Sequence, residues 1–375
     1  MTFTLTVNTE KFRNHTTKLN SEIVNEGHRL VPVIKGNGYG FGRHTLIQES
    51  QHLGVSRIAI GTVWELSYAL EHFSGEVHVL EPINSLDSEA YLLWRKVIAG
   101  HNNRIIATLS TPDLQMLTEI GVRRFFLEGR TSLNRFGLTP EDLEQTIAQL
   151  PTHLQVEGLL LHLPITDSNL PSGNDKQDRN AHLSGRIAQC HDWLDVYTKI
   201  ANSRGLNAHV SLSHISLDDL RVLKKTFPDF TFGLRLGTKL WLGDLSALKA
   251  TGTVLAIHDI SGSSAVGYQQ RRATSSSRIA IISGGTAHGV ALSAPITTTT
   301  LRKKVIAIIE GFYQAMNKVR SPFIYDGKNL LFVEPPHMHV SMVWLPSDST
   351  LKVGEMVECT IRQTTVTSDR VLGLD

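Results

Sequence analysis

The sequence predicts an α/β protein with an N-terminal (β/α)8 barrel, similar to a TIM barrel, followed by a smaller, mostly β domain. Eight short apolar runs lie between residues 30 and 237, and amphipathic, helix-like stretches separate them. After about residue 246 the pattern changes to β-rich segments separated by Gly, Ser and Asp-Gly turns. Strand–helix alternation is typical of a parallel sheet, and eight repeats in about 240 residues fit a closed barrel best. An open doubly wound sheet is the alternative.

The eight predicted strands are short and rich in branched apolar residues, as buried parallel strands are. In chain order they are LVPVIK (30–35), RIAIG (57–61), VHVLE (77–81), RIIATL (104–109), RRFFLE (123–128), EGLLLH (157–162), AHVSLS (208–213) and FGLRLG (232–237). A helix-like segment follows each of the first seven. Several of these segments begin at Ser, Thr or Asp and end near Gly, the residue types that cap helices.

The predicted domains are a barrel over residues 9–245 and a β-rich domain over 246–375, which also includes a strand from residues 1–8. The segments predicted to be β-rich include TGTVLAIHDI (251–260) and KKVIAIIEGFYQAM (303–316). Asp326-Gly327 lies between two further β-rich segments, and this dipeptide is typical of a tight β-hairpin turn.

The composition excludes several classes of protein. Lys+Arg 37 against Asp+Glu 35 gives a formal charge of +2, which argues against binding nucleic acid through bulk charge. No apolar run reaches the ~18 residues of a membrane-spanning helix, so we expect no membrane partner. The N-terminus lacks the basic and apolar regions of a secretory signal. The two cysteines, Cys190 and Cys359, are too few for a disulfide framework or a cysteine zinc site. We therefore expect a cytoplasmic protein.

Polar or charged residues follow six of the predicted strands. In a barrel the catalytic groups lie at the carboxyl ends of the strands, which makes candidates of Lys35, Glu81, Glu128, His162, Ser213 and Arg235. A lysine at the end of a buried strand has a desolvated amine and a lowered pKa, which suits Schiff-base chemistry. After Lys35, the glycines of GNGYGFG (36–42) let backbone amides approach an anion, and Tyr39 adds a hydroxyl group. A surface lysine at a strand–loop junction is the alternative that the spacing leaves open.

The segment VPVIKGNGYGFG (31–42) resembles the cofactor-lysine motif of the pyridoxal-phosphate-dependent alanine racemases, which usually reads VVKANAYGHG. Other segments resemble motifs of that family in the same order: LNRFGL (133–138), GLLLHL (158–163), HVSLS (209–213), FGLRLGTKLWLG (232–243), AVGYQQR (265–271) and FIYDGKNLLFVEPPHMHVSMVWLP (323–346). The resemblance implies a homodimeric amino-acid racemase with pyridoxal 5'-phosphate, which interconverts L- and D-alanine or a related small amino acid.

The resemblance also implies catalytic roles. Lys35 would hold the cofactor and move a proton on one face of the substrate Cα. Tyr268, from the second subunit, would move a proton on the opposite face. His162 would lie near this proton network, and Arg235 would face the pyridine nitrogen as a hydrogen-bond donor that keeps its proton.

Further residues would bind the substrate and the phosphate. Arg135 matches the family's arginine near the substrate carboxylate, and Glu128 replaces the carbamylated lysine that often assists that arginine. The resemblance therefore implies an ion pair between Glu128 and Arg135. Met338 of the second subunit would lie near the substrate carboxylate. The residues implied for phosphate binding are Tyr39, Ser213, Gly237 and Thr238.

The second domain departs from the family pattern. Thr286 and Gln363 replace tyrosines, and His288 and His339 replace aspartates, which favours a more anionic or polar substrate. We expect no bound metal, but His288, His337 and His339 are the residues that would hold one. Two alternatives therefore stay open. One is a metal-assisted pyridoxal-phosphate-dependent D-amino-acid aldolase or dehydratase, and the other is a non-catalytic homologue that binds the cofactor.

Overall fold

The computed structural model describes residues 2–101, 103–165, 185–272, 276–292, 301–316 and 318–374. The chain forms two compact units. We call one the barrel unit (14–36 and 46–243) and the other the β-rich unit (1–13, 37–45 and 244–375). Residues 9–13 and 37–45 thus group with the β-rich unit, and the domain boundaries stated above stay a prediction.

Eight parallel strands close into a barrel. After β1 (Phe3–Val7), which belongs to the β-rich unit, the barrel strands are β2 (Arg29–Ile34), β3 (Arg57–Ile60), β4 (Glu76–Val79), β5 (Ile105–Leu109), β6 (Arg124–Gly129), β7 (Gln155–His162), β8 (His209–Ser213) and β9 (Thr231–Leu236). Each strand pairs with the next, and β2 pairs with β9 to close the ring. All eight overlap the predicted runs, so the barrel prediction is confirmed and the open sheet is wrong.

Helices separate the strands along the chain. They are α1 (Thr9–Asn25), α2 (Arg43–His52), α3 (Leu66–His72), α4 (Ser88–His101), α5 (Leu114–Ile120), α6 (Pro140–Ala148), α7 (Gly185–Arg204), α8 (Leu217–Thr226) and the short α9 (Thr238–Trp241). Side chains cap the starts of five of the described helices, because backbone N–H groups of α1, α4, α5, α6 and α8 donate to Asn8, Asp87, Asp113, Thr139 and Ser216. In the described part of the chain, no helix combines the length and apolarity that crossing a membrane requires.

The barrel interior is filled with side chains, and one glycine is required for its closure. Ile106, Phe126 and Leu160 form a buried cluster contributed by three strands. Gly158 of β7 has a φ of +149°, and a Cβ there would lie 2.1 Å from the carbonyl oxygen of His209 on β8. Any side chain at this position would push the two strands apart. The glycine in EGLLLH therefore serves strand pairing.

The β-rich unit is mostly β, as predicted, and most of its strand pairs are antiparallel. Its strands after β1 are β10 (Leu248–Ile260), β11 (Ala265–Val266), β12 (Arg271–Arg272), β13 (Ser277–Ser283), β14 (Arg320–Tyr325), β15 (Lys328–Phe332), β16 (Val340–Leu345), β17 (Met356–Cys359) and β18 (Arg370–Leu372). The sheet order is β13-β16-β15-β14-β17-β10-β1-β18, and β10 also pairs with β13. Phe3, Ile282, Phe323 and Val343 lie in its buried core.

The predicted hairpin is present between β14 and β15. Asp326 has a φ of +48° and Gly327 a φ of +69°. Two successive positive φ angles are what a type I′ turn requires. Tyr325 pairs with Lys328 directly across this turn, so the Asp-Gly signal is confirmed.

The β-rich prediction for residues 303–316 is wrong, because this segment lies in helix α10 (Leu301–Ala315). Its Val and Ile content favours a strand, but Leu301, Val305, Ile308 and Phe312 recur at helical spacing. These apolar side chains are exposed to solvent, Ile308 by 72% and Phe312 by 63%. The hydrophobic period identifies the element type here better than residue propensity does.

Candidate active site

The predicted strand-end residues lie at the carboxyl ends of the barrel strands. Lys35 directly follows β2, and Glu81 lies two positions after β4. The other four occupy one of the last two positions of β6, β7, β8 and β9: Glu128, His162, Ser213 and Arg235. Since the strands are parallel, this one end of the barrel brings together residues that are 200 positions apart in sequence.

Arg235 is held firmly in the barrel. Its Nη1 donates to the carbonyl oxygen of Ser211 at 2.7 Å and to Ser211 Oγ at 2.8 Å, and its Nη2 donates to the carbonyl oxygen of Leu161 at 3.0 Å. Burial lowers the pKa of Arg235 to about 10, although Glu128 acts in the opposite direction. The guanidinium therefore stays charged at neutral pH. Ser211 is a partner that no sequence motif indicated.

Lys35 has a lowered pKa, as predicted. The largest cause is desolvation by burial, and Arg135 and Arg235 lower it further, whereas Glu65 opposes them. Glu65 also fixes the backbone directly after Lys35 and at the end of the neighbouring strand β3. Its Oε1 accepts the N–H of Gly36 at 2.6 Å, and its Oε2 accepts the N–H of Gly61 at 2.7 Å. The sequence offered no signal for Glu65 beyond its position after β3.

His162 and Ser213 lie at the ends of neighbouring strands. Burial is the largest cause that lowers the pKa of His162 to about 3, followed by Arg235, so this imidazole is neutral at physiological pH. The ring of His214 lies 5.4 Å from it, edge to face. The Oγ of Ser213 is buried and has no hydrogen-bond partner within the described part of the chain. A buried hydroxyl without a partner is costly, so this group is available to a ligand.

Arg135 lies on a loop that returns to β6. The N–H of Leu138 donates to the carbonyl oxygen of Glu128 at 2.7 Å. Gly137 is required, since its φ is +121° and a Cβ would lie 2.4 Å from the nitrogen of Arg130. The exposed Arg135 guanidinium lies 5.3 Å from the ring centre of Phe136. The motif LNRFGL therefore places a cation at the end of β6.

The implied ion pair between Glu128 and Arg135 is wrong. The two side chains, both within the described ranges, are not within ion-pair distance of each other. The buried Glu128 carboxylate instead accepts a hydrogen bond from Ser110 Oγ at 2.6 Å. Burial raises the pKa of Glu128, against the effects of Ser110, Arg235 and Arg135. The interior position of Glu128 and the solvent-exposed position of Arg135 separate their charges.

The β-rich unit carries the other predicted site residues. Tyr268 is 84% exposed and Met338 is 66% exposed. Both line a surface depression of about 630 Å³, together with Thr286, His337 and His339. The unit therefore presents a phenol, a thioether and imidazoles on one surface.

Two of the histidines considered as metal ligands have carboxylate partners. Nε2 of His288 lies 3.2 Å from Asp369, and its Nδ1 accepts the N–H of Gly285. Nε2 of His337 lies 2.7 Å from Glu334. Over the described ranges, no three His, Cys, Asp or Glu side chains come together as a metal-binding group. His339 contacts the ring of His288, with centroids 5.9 Å apart.

The residues implied for phosphate binding lie in both units. Gly237 and Thr238 form the start of the short α9 in the barrel unit. Tyr39 is buried in the β-rich unit and has a φ of +54°. In the same unit, a Cβ on Gly40 would lie 2.5 Å from Oε1 of Gln363, a buried atom without a hydrogen-bond partner among the described residues. Gln363 and the loop around Tyr39 thus pack together.

Residues 7–222 match the family described as alanine racemase, N-terminal domain. An amino-acid racemase from Enterococcus faecalis is 21% identical over 296 residues, which are 75% of this chain and 40% of that relative, so the chain spans about two fifths of its length. Alanine racemase from Clostridium difficile 630 has a TM-score of 0.68 at 15% identity, covering 99% of this chain and 94% of that one. Alanine racemase from Bacillus anthracis with bound L-Ala-P has a TM-score of 0.67 at 15% identity, covering 97% and 92%.

Proposed function

Since the chain belongs to the alanine racemase family, we propose that it is a pyridoxal-phosphate-dependent racemase of alanine or a related small amino acid. The observation that carries the proposal is the set of side chains that lie together at the carboxyl ends of the barrel strands. Lys35, with its lowered pKa, shares this end of the barrel with the buried Arg235 and the unpartnered hydroxyl of Ser213. The replacement of two family aspartates by His288 and His339 favours a polar substrate.

The barrel residues fit pyridoxal phosphate. The cofactor needs an amine for attachment, donors for its phosphate and a partner for its ring nitrogen. Lys35 supplies the amine, and Ser213 Oγ supplies a buried donor that lacks a partner. Gly237, Thr238 and Tyr39 are the other proposed phosphate ligands. When bound, the cofactor withdraws electrons from the substrate Cα and makes its proton removable.

Arg235 sets the electronic character of the site in this proposal. Its hydrogen bonds to Ser211 and the carbonyl oxygen of Leu161 fix the guanidinium plane. A guanidinium donates a hydrogen bond without giving up its proton, so Arg235 would leave the ring nitrogen of a bound cofactor unprotonated. That would moderate electron withdrawal and favour return of the proton to Cα over side reactions.

Two groups would move the proton. Lys35 Nζ serves one face of Cα, and its lowered pKa increases the fraction of neutral amine that accepts a proton. The Tyr268 phenol of a second copy serves the other face. His162, neutral because its pKa is about 3, would accept or donate a hydrogen bond beside them. The exposed Arg135 would bind the substrate carboxylate.

A homodimer follows from the role given to Tyr268. Tyr268 and Met338 are largely exposed in the single chain, as is the apolar face of α10. Exposed apolar surface often marks an association site, which supports association of two copies. The metal-assisted alternative has less support, because both ring nitrogens of His288 already have hydrogen-bond partners.

Exchange of the Cα proton tests the proposed function. The full chain, loaded with pyridoxal phosphate, would be placed in heavy water with a panel of L-amino acids and followed by NMR and chiral analysis. We expect exchange with inversion, slowed at least ~100-fold in Tyr268→Phe because a general acid–base group is lost. Tyr91→Phe is the control, because the Tyr91 hydroxyl donates to Glu119 on the exposed surface of the barrel helices. No exchange with any amino acid would contradict the proposal.

Alanine variants of Ser213 and Ser211 separate an effect on cofactor binding from an effect on stability. Ser213→Ala removes a hydroxyl with no partner, so we expect unchanged or slightly higher stability of the free protein and ~10-fold weaker binding of pyridoxal phosphate. Ser211→Ala removes the Oγ that accepts from Arg235 and should cost about 1 kcal/mol of unfolding free energy. Urea unfolding and cofactor titration measure both effects. Unchanged affinity in Ser213→Ala would remove Ser213 from the cofactor site.

A further inference from the structure

A buried carboxylate lies directly beside Tyr268 in the β-rich unit. Glu334 is 7% exposed. Its Oε2 accepts the backbone N–H of Tyr268 at 2.9 Å, and its Oε1 accepts a hydrogen bond from Nε2 of His337 at 2.7 Å. The ring of His337 lies 4.5 Å from the ring of Tyr268, centre to centre. One carboxylate thus connects the backbone of the tyrosine to the imidazole that packs against its ring.

The turn that carries Tyr268 is shaped around this carboxylate. Gly267 has a φ of +75°, and a Cβ there would lie 2.3 Å from Oε2 of Glu334. The N–H of Gln270 donates to the carbonyl oxygen of Gly267 at 3.1 Å and closes the turn. Val266 and Val333, the residues before the turn and before Glu334, belong to one buried cluster. The backbone of Tyr268 is therefore anchored although its ring is exposed.

The imidazole of His337 is also attached to a fixed backbone. The N–H of His337 donates to the carbonyl oxygen of Val340 at 2.9 Å, and its own carbonyl oxygen accepts the N–H of Thr286 at 2.9 Å. A Cβ on Gly285 would lie 2.1 Å from that carbonyl oxygen, so the backbone at Gly285 packs closely against the backbone at His337. His337 therefore limits the directions in which the Tyr268 ring can swing.

We propose that Glu334 is a positioning residue for Tyr268, an inference that rests on the proposed function. It acts through the two hydrogen bonds of its carboxylate and does not touch the substrate. One bond fixes the Cα of Tyr268, and the other holds the imidazole against the phenol ring. The phenol must exchange a proton with the substrate Cα. The reaction rate therefore falls steeply when the phenol is displaced by about 1 Å.

Variants of Glu334 test this proposal through a double-mutant cycle. We expect Glu334→Ala to lower kcat by ~10- to 100-fold with KM changed less than ~2-fold. Glu334→Gln keeps an acceptor for the Tyr268 N–H and should lose less. In a Tyr268→Phe background, Glu334→Ala should add less than a ~2-fold loss, since coupled residues are not additive. Glu355→Gln is the control, because Glu355 accepts a backbone N–H from Lys352 on the exposed surface.

Amide hydrogen exchange of the free protein supplies a readout that does not depend on activity. Exchange at the Tyr268 amide should be faster in Glu334→Ala and near wild type in Glu355→Gln. Independent, additive losses in Glu334→Ala and Tyr268→Phe would overturn the positioning role while leaving the racemase proposal intact. Full activity of Tyr268→Phe would instead remove the catalytic role of Tyr268, and the positioning role with it.

Discussion

Replacing Lys35 by alanine is expected to abolish stable attachment of pyridoxal phosphate and to lower racemisation by more than ~1,000-fold. The amine is the proposed point of attachment and one of the two proposed proton carriers, so both functions are lost together. The measurement is the cofactor absorbance that stays with the protein through gel filtration, with mass spectrometry of the borohydride-reduced adduct. Lys225→Ala, an exposed lysine of the same unit, should behave as wild type.

The pH dependence of attachment tests the reason for choosing Lys35. Its pKa lies below the ordinary value of 10.5, mainly because the ammonium is desolvated. A lowered pKa means that more of the amine is neutral and nucleophilic at a given pH. The rate of reduced adduct formation in the free protein should therefore rise with a midpoint below 10.5. A midpoint at or above that value, or an adduct on another lysine, would contradict the assignment.

Replacing Glu157 by leucine is expected to destabilise the protein by about 3–5 kcal/mol. Arg57 and Arg124 alternate with Glu76 and Glu157 in a closed network at the amino ends of the barrel strands, opposite the proposed site. The side chains of Arg57 and Glu157 are 4% and 9% exposed and lie 2.8 Å apart. Removing one partner leaves a buried guanidinium incompletely paired, which costs far more than the pair itself contributes.

Urea unfolding of Glu157→Leu measures this effect, and an exposed ion pair supplies the control. The side chains of Lys249 and Glu358 are 60% and 52% exposed, and Nζ lies 3.6 Å from Oε2. Glu358→Gln should therefore lower the free energy of unfolding by no more than ~1 kcal/mol. Racemisation per folded molecule should be unchanged in Glu157→Leu at low temperature, because the network lies at the other end of the barrel. Equal stability losses in the two variants would show that burial of the network is unimportant.

Much of the proposed site could be predicted because a parallel barrel collects strand ends. Lys35, His162, Ser213 and Arg235 each lie in the last residue or two of an apolar run, and the structure places them at one end of the barrel. Ser213 also supplies a hydroxyl group. Its lack of a hydrogen-bond partner, which supports a ligand there, could be seen only in three dimensions.

Two expectations from the sequence differ from the structure, and each difference has a physical cause. The Val and Ile residues of segment 303–316 favour β structure, but the helical spacing of its apolar residues is the stronger signal. The Glu128–Arg135 ion pair was inferred by matching sequence positions. Such matching does not show that one side chain is buried among barrel strands while the other lies on an exposed loop.

The sequence alone determined the barrel, the β-rich second domain, the Asp-Gly hairpin and the family, because periodicity and ordered motifs are local properties of the chain. Only the tertiary structure decided which groups act together. Arg57 donates a hydrogen bond to Glu157, which is 100 positions away in sequence. The backbone N–H of Tyr268 donates to Glu334, which is 66 positions away. Hydrogen bonds and ion pairs depend on distances of about 3 Å between atoms. Such distances are set by how strands and turns pack, so no spacing along the chain could identify Glu65, Ser211 or Glu334 as partners of the site residues.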